Sequence, residues 1–257
     1  MSREALGRAL RAEWTKLRTL PGTGALLLAV VVLTVAASAL AVVTASCSPR
    51  DCGHDLPRLT LTGVQVGQAL VAVLAVLTIC GEYGTGMIRT TFAAMPCRVT
   101  VLAAKAVLLT GLTMAAGTVA VLGSLLAGRL ILPGNGFPPL PLTDGPTLRA
   151  AAGSVLYLAL IALFSLGVAT LVRDAAPAAG VVFGLLYVLA VLPLMVGDPD
   201  WQRFLWRLSP MDAGLAIQAT TGLSGLPLGP WEGLGVLAAW AAAALLAAGL
   251  LLRARDA

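Results

Sequence analysis

The chain has 257 residues, 58% hydrophobic and 11% charged, with a mean hydropathy of +0.92. A water-soluble domain carries roughly 25% charged residues, so the composition excludes one and indicates an integral membrane protein. The net charge of +5 is scattered between apolar runs rather than gathered on one stripe, which argues against a nucleic-acid partner.

Residues 2–20 carry Arg3, Arg8, Arg11, Lys16 and Arg18 against Glu4 and Glu13. On a helical wheel Leu6, Leu10, Trp14 and Leu17 share one face while Arg8, Arg11 and Arg18 turn away. That is the pattern of a basic helix lying in a lipid interface; a plain positive flank implies the same orientation. Pro21-Gly22 breaks the helix, and a first span is expected over 23–46. No small-residue cleavage site stands out after this run, so it is expected to remain as an anchor.

A polar loop follows, holding Cys47, Cys52 and His54. On an outer face Cys47 and Cys52 would form either a disulfide staple or two unpaired thiols; a metal site with His54 lacks an evident fourth ligand. The second span is expected over 59–80. Its Gln65 and Gln68 are polar groups that would face other helices or a pathway rather than lipid.

The run from Gly81 to Arg98 is a short polar interlude between long apolar segments. Ile88, Phe92 and Met95 recur at the spacing of one helical face, Arg89 and Thr91 point elsewhere, and Pro96 is a plausible stop. A short helix with such a stripe would dock on a separate cytosolic protein, or else serve as a connecting loop whose stripe rests among headgroups. Cys80 and Cys97 read as reduced thiols on this side. The third span is expected over 99–126, with Lys105 snorkelling to the headgroups in preference to acting as a buried charge.

A loop rich in Pro and Gly occupies 129–149, and the fourth span 150–172. Arg173-Asp174 makes a tight return, with Asp174 an N-cap and Pro177 in the first turn of a fifth span over 176–196, so these two spans are antiparallel neighbours. Pro193 is expected to kink the fifth span. Residues 197–233, with Trp201, Trp206 and Trp231, are too apolar for a loop and too interrupted by proline for a span, which suggests interfacial or re-entrant helices. A sixth span over 234–252 completes a single all-α transmembrane domain. The faces shared with the N-terminus hold 11 of the 17 Lys and Arg residues, which places both termini in the cytoplasm.

No catalytic constellation is visible. The chain has one histidine and two lysines, Lys16 and Lys105, and neither lysine follows a phosphate-loop pattern, so ATP hydrolysis is not expected of it. No acidic residue occupies the middle of a span, which argues against a proton- or sodium-coupled carrier.

Two segments carry a resemblance. Glu13-Trp14-Thr15-Lys16-Leu17-Arg18-Thr19, and Gly81-Glu82-Tyr83-Gly84-Thr85-Gly86-Met87-Ile88-Arg89 after the second span, resemble an ABC transporter permease of the ABC-2 exporter class, in particular its high-GC actinobacterial members. The likeness implies an N-terminal elbow helix on the inner leaflet of a bacterial plasma membrane. It implies a coupling helix within 82–96 (Glu82, Ile88, Arg89, Phe92, Met95) seated on an ATP-binding subunit, which would bind the ATP and magnesium. It also implies an outer gate over 197–233, and a second six-span half, either another copy or a paralogue. Gln65 and Gln68 are the pathway candidates. Competing readings are a membrane anchor or regulatory subunit recruiting a cytosolic partner, and a stand-alone secondary carrier.

Overall fold

The computed structural model describes residues 3–19, 21–45, 53, 55–87, 90, 91 and 98–254. All regular structure among them is helical: α1 (Arg3–Thr19), α2 (Pro21–Thr44), α3 (Leu56–Thr60), α4 (Val64–Gly84), α5 (Arg98–Ile131), α6 (Gly145–Val172), α7 (Ala175–Phe183), α8 (Leu189–Met195), α9 (Pro199–Leu208), α10 (Pro210–Leu215) and α11 (Pro230–Ala254). Six helical stretches are long and apolar enough to cross a bilayer: 22–44, 64–84, 98–135, 145–172, 175–195 and 230–254. The chain is therefore a multi-pass membrane protein.

The bundle is built around α6. In its most apolar stretch 72% of residues are buried, against 22–56% in the other five. It packs on α4, α5, α7 and α11, while α2 fills the angle between α4 and α5. Close approach of α6 to α11 needs a residue without a side chain. A Cβ on Gly167 would lie 2.7 Å from the backbone carbonyl carbon of Ala244.

Several boundaries depart from the sequence reading. The second span starts at Val64 rather than 59, because α3 and a turn at 61–63 precede it, and it runs on to Gly84. It stops there because Gly86 adopts φ +72, a left-handed conformation that favours glycine, with Gly86 N–H donating to the Tyr83 carbonyl at 3.2 Å. The 34 residues of α5 extend about 51 Å at 1.5 Å per residue, longer than the roughly 30 Å hydrocarbon layer.

The loop after α5 is an end-plug rather than a free connection: Leu132, Phe137 and Leu140 are buried, and the Asn135 amide donates to the Val42 carbonyl at 2.8 Å. This satisfies a carbonyl that the end of α2 would leave bare.

At the tight return Asp174 caps α7 by accepting from Ala176 N–H at 3.1 Å, and Pro177 lies in the first turn, as the sequence predicts. Within the fifth span the regular winding breaks at a π-turn, Gly184–Val188, one turn before Pro193. Tyr187 in that turn donates to the Gln65 carbonyl at 3.0 Å, tying the irregularity to α4.

Candidate functional site

Four charged side chains from three separate elements meet at the end of the bundle where α1 lies. Glu13 comes from α1, Glu82 from the last turn of α4, Lys105 from the second turn of α5, and Lys16 from α1 one turn beyond Glu13. Lys105 Nζ donates to Glu13 Oε2 at 2.6 Å, to Glu82 Oε1 at 2.8 Å and to the Thr78 carbonyl at 3.4 Å. Lys16 Nζ donates to Glu13 Oε1 at 2.8 Å, Glu82 Oε1 at 2.9 Å and Thr91 Oγ1 at 3.0 Å. Each ammonium thus has an acceptor for each of its three hydrogens.

The cluster pairs two ammonium groups with two carboxylates, and three of its four side chains are almost wholly buried. Glu13 is 1% exposed, Lys105 2% and Glu82 5%. Charges taken out of water this completely are tolerated only when paired and hydrogen-bonded, and removing one partner of such a pair costs about 3–5 kcal/mol. Lys16 is partly exposed. Burial works against its charge, but the hydrogen bonds to Glu13 and Glu82 outweigh it and hold its ammonium above the ordinary lysine value.

This corrects one expectation. Lys105 does not snorkel; it is the hub of an interior ion network. On α1, Glu13 and Leu17 are buried and Leu10 is half-buried, whereas Trp14 is 46% exposed, so Glu13 turns into the bundle beside Leu17.

Glu82 faces this network rather than the exterior. Thr91, beyond the turn at Gly86, is buried and donates to the Met87 carbonyl at 3.1 Å while accepting from Lys16, so the segment after α4 is tied back to α1. Ile88, Arg89, Phe92, Met95, Pro96 and Cys97 lie outside the described residues, as do Cys47, Cys52 and His54.

The network forms one wall of a cavity of about 310 Å³ between α1, α2 and α4, whose other walls include Leu17, Leu26, Leu74 and Leu77.

The opposite end of the bundle is closed by 197–229. On α9, Trp201 and Phe204 stack edge-on with centroids 5.8 Å apart and are both more than half exposed. In contrast α10 is pushed into the bundle, with Met211, Ala213, Gly214 and Leu215 buried. A latch holds the following strand of chain. Asp55 at the N-cap of α3 accepts from Thr220 N–H and Oγ1, both at 2.6 Å, and from Thr221 N–H at 3.0 Å. Burial raises the Asp55 carboxyl, but these bonds prevail and keep it below the ordinary aspartate value.

The two glutamines separate. Gln65 lines a cavity of about 120 Å³ at this end with Arg58, Trp206 and Asp212. Gln68 is wholly buried: it accepts from the Tyr157 hydroxyl and donates to Met211 Sδ at 3.2 Å, so it joins α4 to α6 and α10.

Neither models of known protein families nor curated proteins match this chain.

Proposed function

We propose that the chain is the membrane-embedded half of an ATP-driven exporter of the ABC-2 class, in a bacterial plasma membrane with both termini cytoplasmic. In this reading a separate ATP-binding subunit supplies the energy, and a second copy or a paralogue completes the pathway. The observation that carries the reading is the buried network of Glu13, Lys16, Glu82 and Lys105. It joins α1, α4 and α5 at the root of the segment that holds Ile88, Arg89, Phe92 and Met95. A docked subunit pushing on that stripe acts on a segment whose base is bonded to three helices, so the push is delivered to the bundle rather than absorbed by a loose loop. Glu82 then serves to position the docking segment from behind, and Ile88, Phe92 and Met95 make the contact. The inserted α10 and the Asp55 latch form the outer gate. An even number of spans returns both ends to one face, in keeping with the charge asymmetry.

The chain is to be tagged and purified from its native membrane in mild detergent, as wild type and as Phe92→Asp. A stoichiometric protein bearing a phosphate loop should accompany the wild type, hydrolyse ATP, and be lost from the variant. Recovery without any nucleotide-binding protein, or equal recovery with both forms, contradicts the proposal.

A further inference from the structure

The cavity of about 120 Å³ at the end closed by 197–229 has α3 and the first turn of α4 on one side, and α9, α10 and the chain over 226–228 on the other. Arg58 on α3 and Gln65 on α4 both line it, and both are exposed. Their backbone groups bond to Asp55, Thr62 and Tyr187, but among the described residues neither side chain makes a hydrogen bond or ion pair. The unused function here is a set of accessible donors: a guanidinium that cannot lose its proton, beside a carboxamide. A second guanidinium stands close by, since Arg207 Nε donates at 3.1 Å to the carbonyl of Pro227 in the cavity wall. Two carboxylates are near, and each already has donors. Asp55 accepts the latch bonds from Thr220 and Thr221. Asp212 is hydrogen-bonded by the Ser209 side chain, and its Oδ2 is buried. Burial pushes the Asp212 carboxyl up, while the Ser209 bond and the Arg58 charge act the other way, so Arg58 is felt at Asp212 although the two form no ion pair. The walls contributed by the Trp206 ring, Leu226 and Leu228 are apolar.

We infer that this cavity binds a small organic carboxylate with an apolar body. The head takes paired hydrogen bonds from the Arg58 guanidinium and one from the Gln65 amide, and the body lies against Trp206, Leu226 and Leu228. A guanidinium matches a carboxylate bidentately, and such charge-assisted bonds are about twice as strong as neutral ones. A single negative charge is selected over a double one, because Asp212 and Asp55 repel each further charge brought to the site. Volume limits the body: about 120 Å³ lies below the roughly 300 Å³ at which pockets for drug-sized ligands begin. A bound carboxylate bridges α3 and α4 to α9 and the chain over 226–228, which strengthens the closure made by the Asp55 latch. Its effect on a gate rests on the exporter reading, whereas the binding itself needs no partner subunit.

The test is binding of benzoate, benzamide and phenylphosphate to the purified full chain in phosphatidylcholine nanodiscs, without any ATPase. Ligand-observed NMR reads the binding, with empty nanodiscs subtracted, at a mildly alkaline pH where phenylphosphate carries two charges. Benzoate should bind at about millimolar concentration or tighter, as its size allows. It should bind about tenfold more tightly than benzamide or phenylphosphate, the discrimination expected of a charge-assisted pair. Arg58→Gln should erase that preference. Gln65→Ala should weaken benzoate by about threefold or more, and it carries the test if Arg58→Gln does not fold. Equal binding of benzoate and benzamide, tightest binding of phenylphosphate, no binding of benzoate beyond that of empty nanodiscs, or a benzoate affinity unchanged in both variants overturns the inference.

Discussion

Lys105 on α5 and Glu13 on α1 are bonded at 2.6 Å, although 92 residues separate them in sequence. Both are almost wholly buried, and the bond fixes an amphipathic N-terminal helix to the start of a spanning helix. Lys105→Met leaves two carboxylates facing Lys16 alone and should cost about 3–5 kcal/mol. Adding Glu13→Gln restores neutrality, so the double variant should be more stable than Lys105→Met by itself. Thermal unfolding in detergent measures both; a double variant no better than the single one shows that the pair is uncoupled.

The Asp55 latch has a definite pH dependence. Its carboxyl lies below the ordinary aspartate value in the folded chain, so it binds protons more readily when unfolded. The stability it contributes is therefore complete above the unfolded-state pKa and is lost as pH falls through the folded-state pKa. The latch should hold at neutral pH and release only in acid, below about pH 4. Asp55→Ala should raise amide exchange at Thr220 and Thr221 at neutral pH by about tenfold or more. Hydrogen exchange at those two amides that is unchanged in the variant argues against the latch.

Gly167 tests the α6–α11 contact. A Cβ there would meet Ala244 at 2.7 Å, so Gly167→Val requires the helices to part and should cost about 1–3 kcal/mol or more. The expected signature is a lower unfolding temperature, whereas Gly180→Val, with open space around it, should do far less at that position.

Tyr157 and Gln68 form a buried pair between α4 and α6. Tyr157→Phe strands the Gln68 oxygen without its hydroxyl donor and should cost about 1–3 kcal/mol, again read by unfolding temperature. A Tyr157→Phe protein as stable as wild type shows that another donor serves Gln68.

The spans were legible because uninterrupted apolar runs need no tertiary information, and the Asp174 cap because its signal is local. The ion network was not. Lys105 is a lone charge near a span end, and its acidic partners lie 92 and 23 residues away, at separations no periodicity reports. Glu13 lies among basic neighbours on a helix whose periodic signal is its apolar stripe, and nothing in that period marks a single acid as buried. One clue was present: the chain's only two lysines both lie within a turn or two of a span boundary on the same side. The burial of Leu132, Phe137 and Leu140 in a proline-rich loop likewise depends on packing, which composition does not encode.

The central claim is that α1 and the beginning of α5 move as one body when a partner subunit hydrolyses ATP. Spin labels at Thr15 and Val107, both exposed, report that relationship as a distance between the two helices in the purified complex. The account predicts one narrow distance, the same without nucleotide and with ATP trapped by vanadate. A distance that shifts or splits when ATP is added would contradict it.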